Sequence, residues 1–171
     1  MLNQFFKNKR QTLIWLGLAV LVLVADQVTK LWIVKQYSLG MSDKITEFFN
    51  LVHVHNYGAA FSFLNNEGGW QRWGFSVFAA VVSLIIVVWI VRLSPQQKRE
   101  GYALAFILGG ALGNLYDRVS LGYVVDFLDF HWSGWHFPAF NIADSAITLG
   151  AILIILDGIL RYKNEKPSSQ D

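Results

Sequence analysis

The sequence predicts an α-helical integral membrane protein, four transmembrane helices with a small β-rich subdomain on the outer side, folded as a single membrane domain. Three observations predict it. Hydrophobic residues make up 54% of the 171-residue chain and charged residues only 15%, against roughly 25% charged in a soluble domain. The apolar residues fall into four runs, each near the roughly 20 residues that a helix needs to cross a hydrocarbon core about 30 Å thick. The one stretch patterned for strand lies between the first and second runs. The mean hydropathy of +0.38 points the same way.

The first span is read over 11–34, broken by Asp26 and Lys30. These are four apart with the acid first, the favourable order for a helical ion pair. Both are read as structural polar residues turned into the bundle, because intramembrane charges nearly always face inward. No small-residue cleavage pattern follows the span, so it reads as a retained helix and not a signal peptide.

The segment 36–70 carries the β signal. Ile45 to Val54 (ITEFFNLVHV) is rich in β-branched and aromatic residues with partial alternation. Asn56 and Gly58 then mark a turn, and Asn65, Asn66, Gly68 and Gly69 another. A small sheet lying on the membrane is expected, with an amphipathic segment near Glu67 to Arg72. Asn56 is placed to orient an extended peptide backbone, and Gly58 admits positive φ or close backbone approach.

The second span, 74–93, is uncharged as far as Val91. The third, 102–125, contains GGALGNLYDR, Gly109 to Arg118. Gly109 and Gly113 share a helical face, where small residues let another helix approach closely or leave a groove. Asn114, Asp117 and Arg118 follow at spacings of three and four, so Asn114 faces the same side as both. These polar side chains are packing glue, or Asn114 supports a reacting carboxylate while Arg118 meets a lipid phosphate or substrate carbonyl. Asp117 belongs with the structural polar residues.

The fourth span, 139–160, holds Asp144 near its start and Asp157 near its end. Asn141 is a good N-cap, which puts Asp144 at the third helical position. The tail 164–171, polar and containing Pro167, is expected to be disordered. All four runs are read as helices because a lipid core leaves no other way to bond the backbone.

Lys and Arg set the orientation. Lys7, Lys9 and Arg10 precede the first span; Arg92, Lys98 and Arg99 link the second and third; Arg161, Lys163 and Lys166 follow the fourth, and the link 122–140 has none. Both termini are therefore expected in the cytoplasm, with Asp126, Asp129 and the start of the fourth span on the other side.

The chain has no cysteine, which excludes disulfides, a thiolate metal site and a cysteine nucleophile. Its net charge of +2 is too small to argue for nucleic acid. His53, His55, His131 and His136 invite a metal reading, since His53 and His55 share a strand face. No HExxH motif supports it, and neither metal nor cofactor is expected.

The strongest chemical candidates are Asp126 and Asp144, at the adjoining outer ends of the third and fourth spans. Two carboxylates brought together share one proton, so one can act as base on a water while the other donates. The plain alternatives are a solvated interfacial charge for Asp126 and a helix-start carboxylate for Asp144. Two other functional classes fit some of the residues. A small ion-translocating protein would use Asp26, Lys30, Asp117 and Arg118 as a polar path, but the carboxylates cluster at one face. A metal-dependent membrane hydrolase would rest on the histidines.

With those residues in hand, the chain resembles the lipoprotein signal peptidase (signal peptidase II) family from the first span to the fourth. The matching blocks are DQVTK (Asp26 to Lys30), NYGAAF (Asn56 to Phe61), GGALGNLYDR, VVDF (Val124 to Phe127) and FPAFNIADS (Phe137 to Ser145). The resemblance implies a metal-independent aspartyl endopeptidase of the bacterial inner membrane, with Asp126 and Asp144 catalytic. It implies that Asn56, Gly58, Asn114, Arg118 and Asn141 bind substrate or support the dyad. The implied substrate is a prolipoprotein, cut on the amino side of a diacylglyceryl-modified cysteine at the periplasmic face. Membrane lipids are the other implied partner, and the working unit is taken to be a monomer. No role is carried onto Asp129, His131 or His136.

Overall fold

The computed structural model describes residues 9–58 and 70–165. The order of elements is α1 (Lys9–Gln36), β1 (Ser42–Thr46), β2 (Phe49–Asn56), α2 (Trp70–Arg92), α3 (Lys98–Ser120), β3 (Val124–Trp132), β4 (Trp135–His136) and α4 (Ile142–Glu165). Three stretches, Lys9–Gln36, Arg72–Arg92 and Ile142–Tyr162, are long and apolar enough to cross a membrane. Helix α3 is as long as α2 but falls outside that group, because it carries Asn114, Asp117 and Arg118.

Those polar groups explain where α3 sits. Asn114, Asp117 and Arg118 are all buried, and so are Gly109, Gly110 and Gly113. Helix α3 is the hub: α1, α2 and α4 each pack on it. The glycines set the approach. A Cβ on Gly109 would lie 2.5 Å from the Ala19 carbonyl of α1, and one on Gly113 would lie 2.6 Å from Asp26 Oδ2. Gly150 plays the same part on α4, with a Cβ there falling 2.6 Å from the Ala103 carbonyl. Gly109 and Gly113 thus serve close packing and leave no groove. Trp15, Ala19, Ile86, Ile90, Leu93, Leu104, Ala105 and Leu108 fill the apolar core between α1, α2 and α3. The faces turned away from the hub expose Val20, Leu21, Val77, Phe78, Ile155 and Ile159. Large apolar side chains on outer faces are what a lipid surround favours.

The sheet runs β1-β2-β3-β4, with every pair antiparallel. Two boundaries differ from the sequence reading. The single strand expected over Ile45 to Val54 is a hairpin: β1 ends at Thr46, Glu47 and Phe48 turn, and β2 starts at Phe49. The third helix stops at Ser120 and not at Val125, so Asp126 stands on a strand. The stop has a physical cause. Gly122 takes φ +91°, and the N–H groups of Leu121 and Gly122 both turn back to the Asp117 carbonyl. That is a left-handed helix terminus, which favours glycine.

Smaller differences concern the ends. Helix α4 begins at Ile142, behind its Asn141 cap, and runs through Glu165 into what was expected to be the disordered tail. Residues 166–171, Lys7, the Asn65 to Gly69 turn and the expected amphipathic stretch as far as Gly69 lie outside the described residues. Trp70–Arg72 form the first turn of α2.

Candidate active site

Asp126 lies near the start of β3, opposite Val54 of β2, and is 1% exposed. Asn56 pairs with Val124, so its side chain lies diagonally across from Asp126 on the same face of the sheet. It donates from Nδ2 to Asp126 Oδ2 at 2.9 Å. The Asn56 Oδ1 is fixed in turn by the Gly58 N–H at 2.9 Å.

Asp144 arrives from the start of α4. The Asp144 N–H donates to Asn141 Oδ1 at 2.9 Å, while the Asn141 N–H faces Asp144 Oδ2 at 3.3 Å. This reciprocal pairing is a capping box with Asp at the third position, as the spacing predicted. The Asn141 Nδ2 then reaches across to Asp126 Oδ1 at 2.6 Å. One residue, fully buried, therefore touches both carboxylates. Asn114 Nδ2 on α3 donates to the other Asp144 oxygen, Oδ1, at 2.8 Å.

Beneath the carboxylates lies Lys30, 2% exposed. Its ammonium has three donors, and all are used: Asp26 Oδ2 at 2.8 Å, Asp117 Oδ2 at 2.9 Å and Asn114 Oδ1 at 3.0 Å. The Asp26–Lys30 pair expected from spacing is present, joined by Asp117 from α3. Arg118 donates to the Gly58 carbonyl at 3.0 Å and the Asn114 carbonyl at 3.3 Å. Arg72 of α2 covers the end of α3, donating to the carbonyls of Arg118 and Val119 at 2.8 Å each.

Every site residue singled out from sequence joins this one network. One participant escaped that reading. Gln27 Nε2 bonds Asp117 Oδ1 at 2.9 Å and Asp26 Oδ2 at 3.1 Å. Its place within DQVTK, next to a conspicuous ion pair, was the only signal for it. The histidines are engaged elsewhere. His53 Nδ1 lies 2.8 Å from the Tyr37 carbonyl, His55 stacks on Tyr123 at 3.6 Å, and His136 pairs with Asp129 at 2.9 Å.

Electrostatically, burial and then the Asp144 carboxylate push the Asp126 carboxyl up to about 7. Its hydrogen bonds from Asn56 and Asn141 oppose that rise without cancelling it. A buried carboxyl beside a second one, near half-protonation at neutral pH, is suited to passing a proton.

The family model described as Signal peptidase (SPase) II matches residues 18–160. The chain is 53% identical over 153 residues to a lipoprotein signal peptidase of Aeromonas hydrophila subsp. hydrophila, covering 89% of this chain and 90% of that one. It is 50% identical over 152 residues to one from Paraburkholderia phytofirmans, covering 89% and 88%. Among solved structures, one described as a bacterial membrane enzyme superposes with a TM-score of 0.80 at 33% identity, over 92% of this chain and 94% of that one. A second of the same description gives 0.73 at 34% identity, over 84% and 91%.

Proposed function

We propose the chemistry that follows from one premise: this chain belongs to the signal peptidase II family, the lipoprotein signal peptidases. It is a membrane protease that removes signal peptides from prolipoproteins. Asp126 and Asp144 are its catalytic pair. The observation that carries this is the bridge made by Asn141, which bonds Asp126 at 2.6 Å and engages Asp144 through both its N–H and its side-chain oxygen.

The pair holds one proton between two oxygens near neutrality. The ionised carboxylate takes a proton from a water as that water's oxygen adds to the scissile carbonyl. The protonated partner gives its proton to the carbonyl oxygen, forming a neutral gem-diol. In collapse, the carboxyl that received the water proton donates it to the leaving nitrogen. The C–N bond breaks, and a gem-diol proton returns to the other carboxylate, restoring the single shared proton. Asn56, Asn114 and Asn141 hold the two carboxyls in register through this exchange.

Arg118 is the substrate-facing cation. Its Nε is buried and has no acceptor among the described residues, which supports a bond to a substrate carbonyl. The Gly58 carbonyl and Asn114 fix its orientation. The leaving group is the amine of a diacylglyceryl-modified cysteine, so substrate lipid and signal helix both stay in the bilayer while the bond between them is cut.

Helix α3 is the fourth span, its polar residues turned inward and the other helices packed around it. The Lys and Arg distribution supports cytoplasmic termini and a periplasmic active site in the bacterial inner membrane, and the chain works as a monomer. Asp126→Asn and Asp144→Asn each leave a folded protein that binds a diacylglyceryl-cysteine peptide without cutting it. Cutting by either variant would end the dyad assignment.

A further inference from the structure

The residues immediately before the two catalytic aspartates are held in the same way. The Val125 N–H, preceding Asp126, donates to Asp117 Oδ2 at 3.2 Å. The Ala143 N–H, preceding Asp144, donates to Asp26 Oδ1 at 2.9 Å. The acceptors come from different helices, and Lys30 joins them at 2.8 and 2.9 Å. Its third donor holds Asn114, which bonds Asp144. Gln27 spans the same two acids.

We propose that Asp26, Lys30 and Asp117 are positioning residues that set the spacing of Asp126 and Asp144 by clamping the peptide N–H before each. Neither donor has an easy substitute. The Ala143 N–H is in the first turn of α4, where no intrahelical acceptor exists, and the Asn141 cap is already used by Asp144. The Val125 N–H lies just beyond the Gly122 turn, where the chain leaves α3 for the sheet. A carboxylate accepts from a chosen direction, which an apolar side chain cannot do. A buried ion pair is in any case a poor way to add stability compared with apolar packing. What this one supplies is a common reference point on α1 for β3 and α4, which carry the two halves of the dyad.

The inference rests on the dyad reading, and the two are separable by experiment. Full-length Asp26→Asn, Asp117→Asn and Lys30→Met variants are compared with wild type on a diacylglyceryl-cysteine peptide in lipid nanodiscs. Each is expected to lose about 100-fold in kcat, the cost of a reacting group displaced by about 1 Å, with KM held within about threefold because binding contacts are untouched. The alkaline limb of the pH profile is also expected to move. A variant of wild-type thermal stability that keeps both kcat and the pH profile overturns the clamp. If no variant folds, hydrogen exchange on the wild type decides. Val125 and Ala143 amides protected far beyond free peptide support it, and unprotected ones overturn it. Cutting by Asp126→Asn would instead remove the dyad, whatever the clamp variants do.

Discussion

Asn141 donates to Asp126 at 2.6 Å across the gap between the start of α4 and the sheet. The same side chain caps the helix that carries Asp144. Two jobs in one residue can be separated by substitution. Asn141→Ala loses both the cap and the bridge, at about 1 kcal/mol for the cap alone. Asn141→Ser keeps a capping oxygen and lacks the Nδ2 donor. The serine variant should recover most of the lost melting temperature while both variants remain far below wild type in kcat. Recovery of rate along with stability would show that the bridge to Asp126 is dispensable.

The Asp126 carboxyl predicts a pH dependence with a definite sign. Its folded value of about 7 lies above the ordinary aspartate value of 3.8, so between those limits the folded state holds a proton that the unfolded chain releases. Stability from this group is therefore lost as pH rises from about 4 to about 7 and then levels off. Thermal scans should show wild type losing more stability than Asp126→Asn between about pH 5 and pH 8. In parallel, kcat/KM should fall as pH rises above about 7, where the shared proton leaves the pair.

Two glycines make a paired test of packing. A Cβ at Gly113 meets Asp26 Oδ2 at 2.6 Å, whereas one at Gly17 meets nothing within 4 Å. Gly113→Ala should cost about 1–3 kcal/mol as an overpacked contact, with a fall in activity because Asp26 moves. Gly17→Ala should be neutral or more stable by about 0.5–1 kcal/mol. Unfolding temperatures in one detergent, with rates measured alongside, are sufficient to check both.

Arg118→Lys keeps the charge and loses the fork. The guanidinium now reaches the Gly58 and Asn114 carbonyls and lies 5.7 Å over the Phe75 ring. A lysine's donors radiate from one nitrogen and lack the planar fork by which Arg118 holds two carbonyls from two separate nitrogens. A loss of roughly 10- to 100-fold in kcat/KM is expected, the worth of one hydrogen bond to a charged group. Unchanged kinetics would place Arg118 outside substrate binding.

Excess EDTA should leave the rate unchanged. His53 turns its Nδ1 to the Tyr37 carbonyl, His55 stacks on the Tyr123 ring, and among the described residues no three His, Asp or Glu side chains gather as a metal site. A rate abolished by chelation and restored by a divalent metal would revive a histidine-based hydrolase.

The candidate site was legible in sequence because ionisable groups inside apolar runs have few reasons to be there. Asp26 and Lys30 followed from a spacing of four, and the Asn141 cap of Asp144 from a spacing of three. What local pattern could not reveal was pairing at a distance. Asp117 meets Lys30 across 87 positions of chain, and Gln27, being uncharged, gave no signal beyond its place in DQVTK. The strand carrying Asp126 was hidden because Val124 and Val125 extend the apolar run of α3. The available clue was Gly122, a helix-ending residue four positions before Asp126. The Ser133-Gly134 turn between the aromatic strands β3 and β4 was a second, and it too takes positive φ at both residues.

The inward-facing charges of α3 also bear on biogenesis. A charged residue such as Asp or Arg adds about 2.5–3.5 kcal/mol to entry through the translocon at the centre of a span and less toward its end, where Asp117 and Arg118 lie. Lys30 and Gln27 of α1, synthesised earlier, offset that penalty for Asp117. On the proposed topology, with α3 as the fourth span, the first helix is an intramolecular insertion partner for the third. Chains lacking α1 should leave α3 stranded on one side, as glycosylation mapping of the growing polypeptide would reveal.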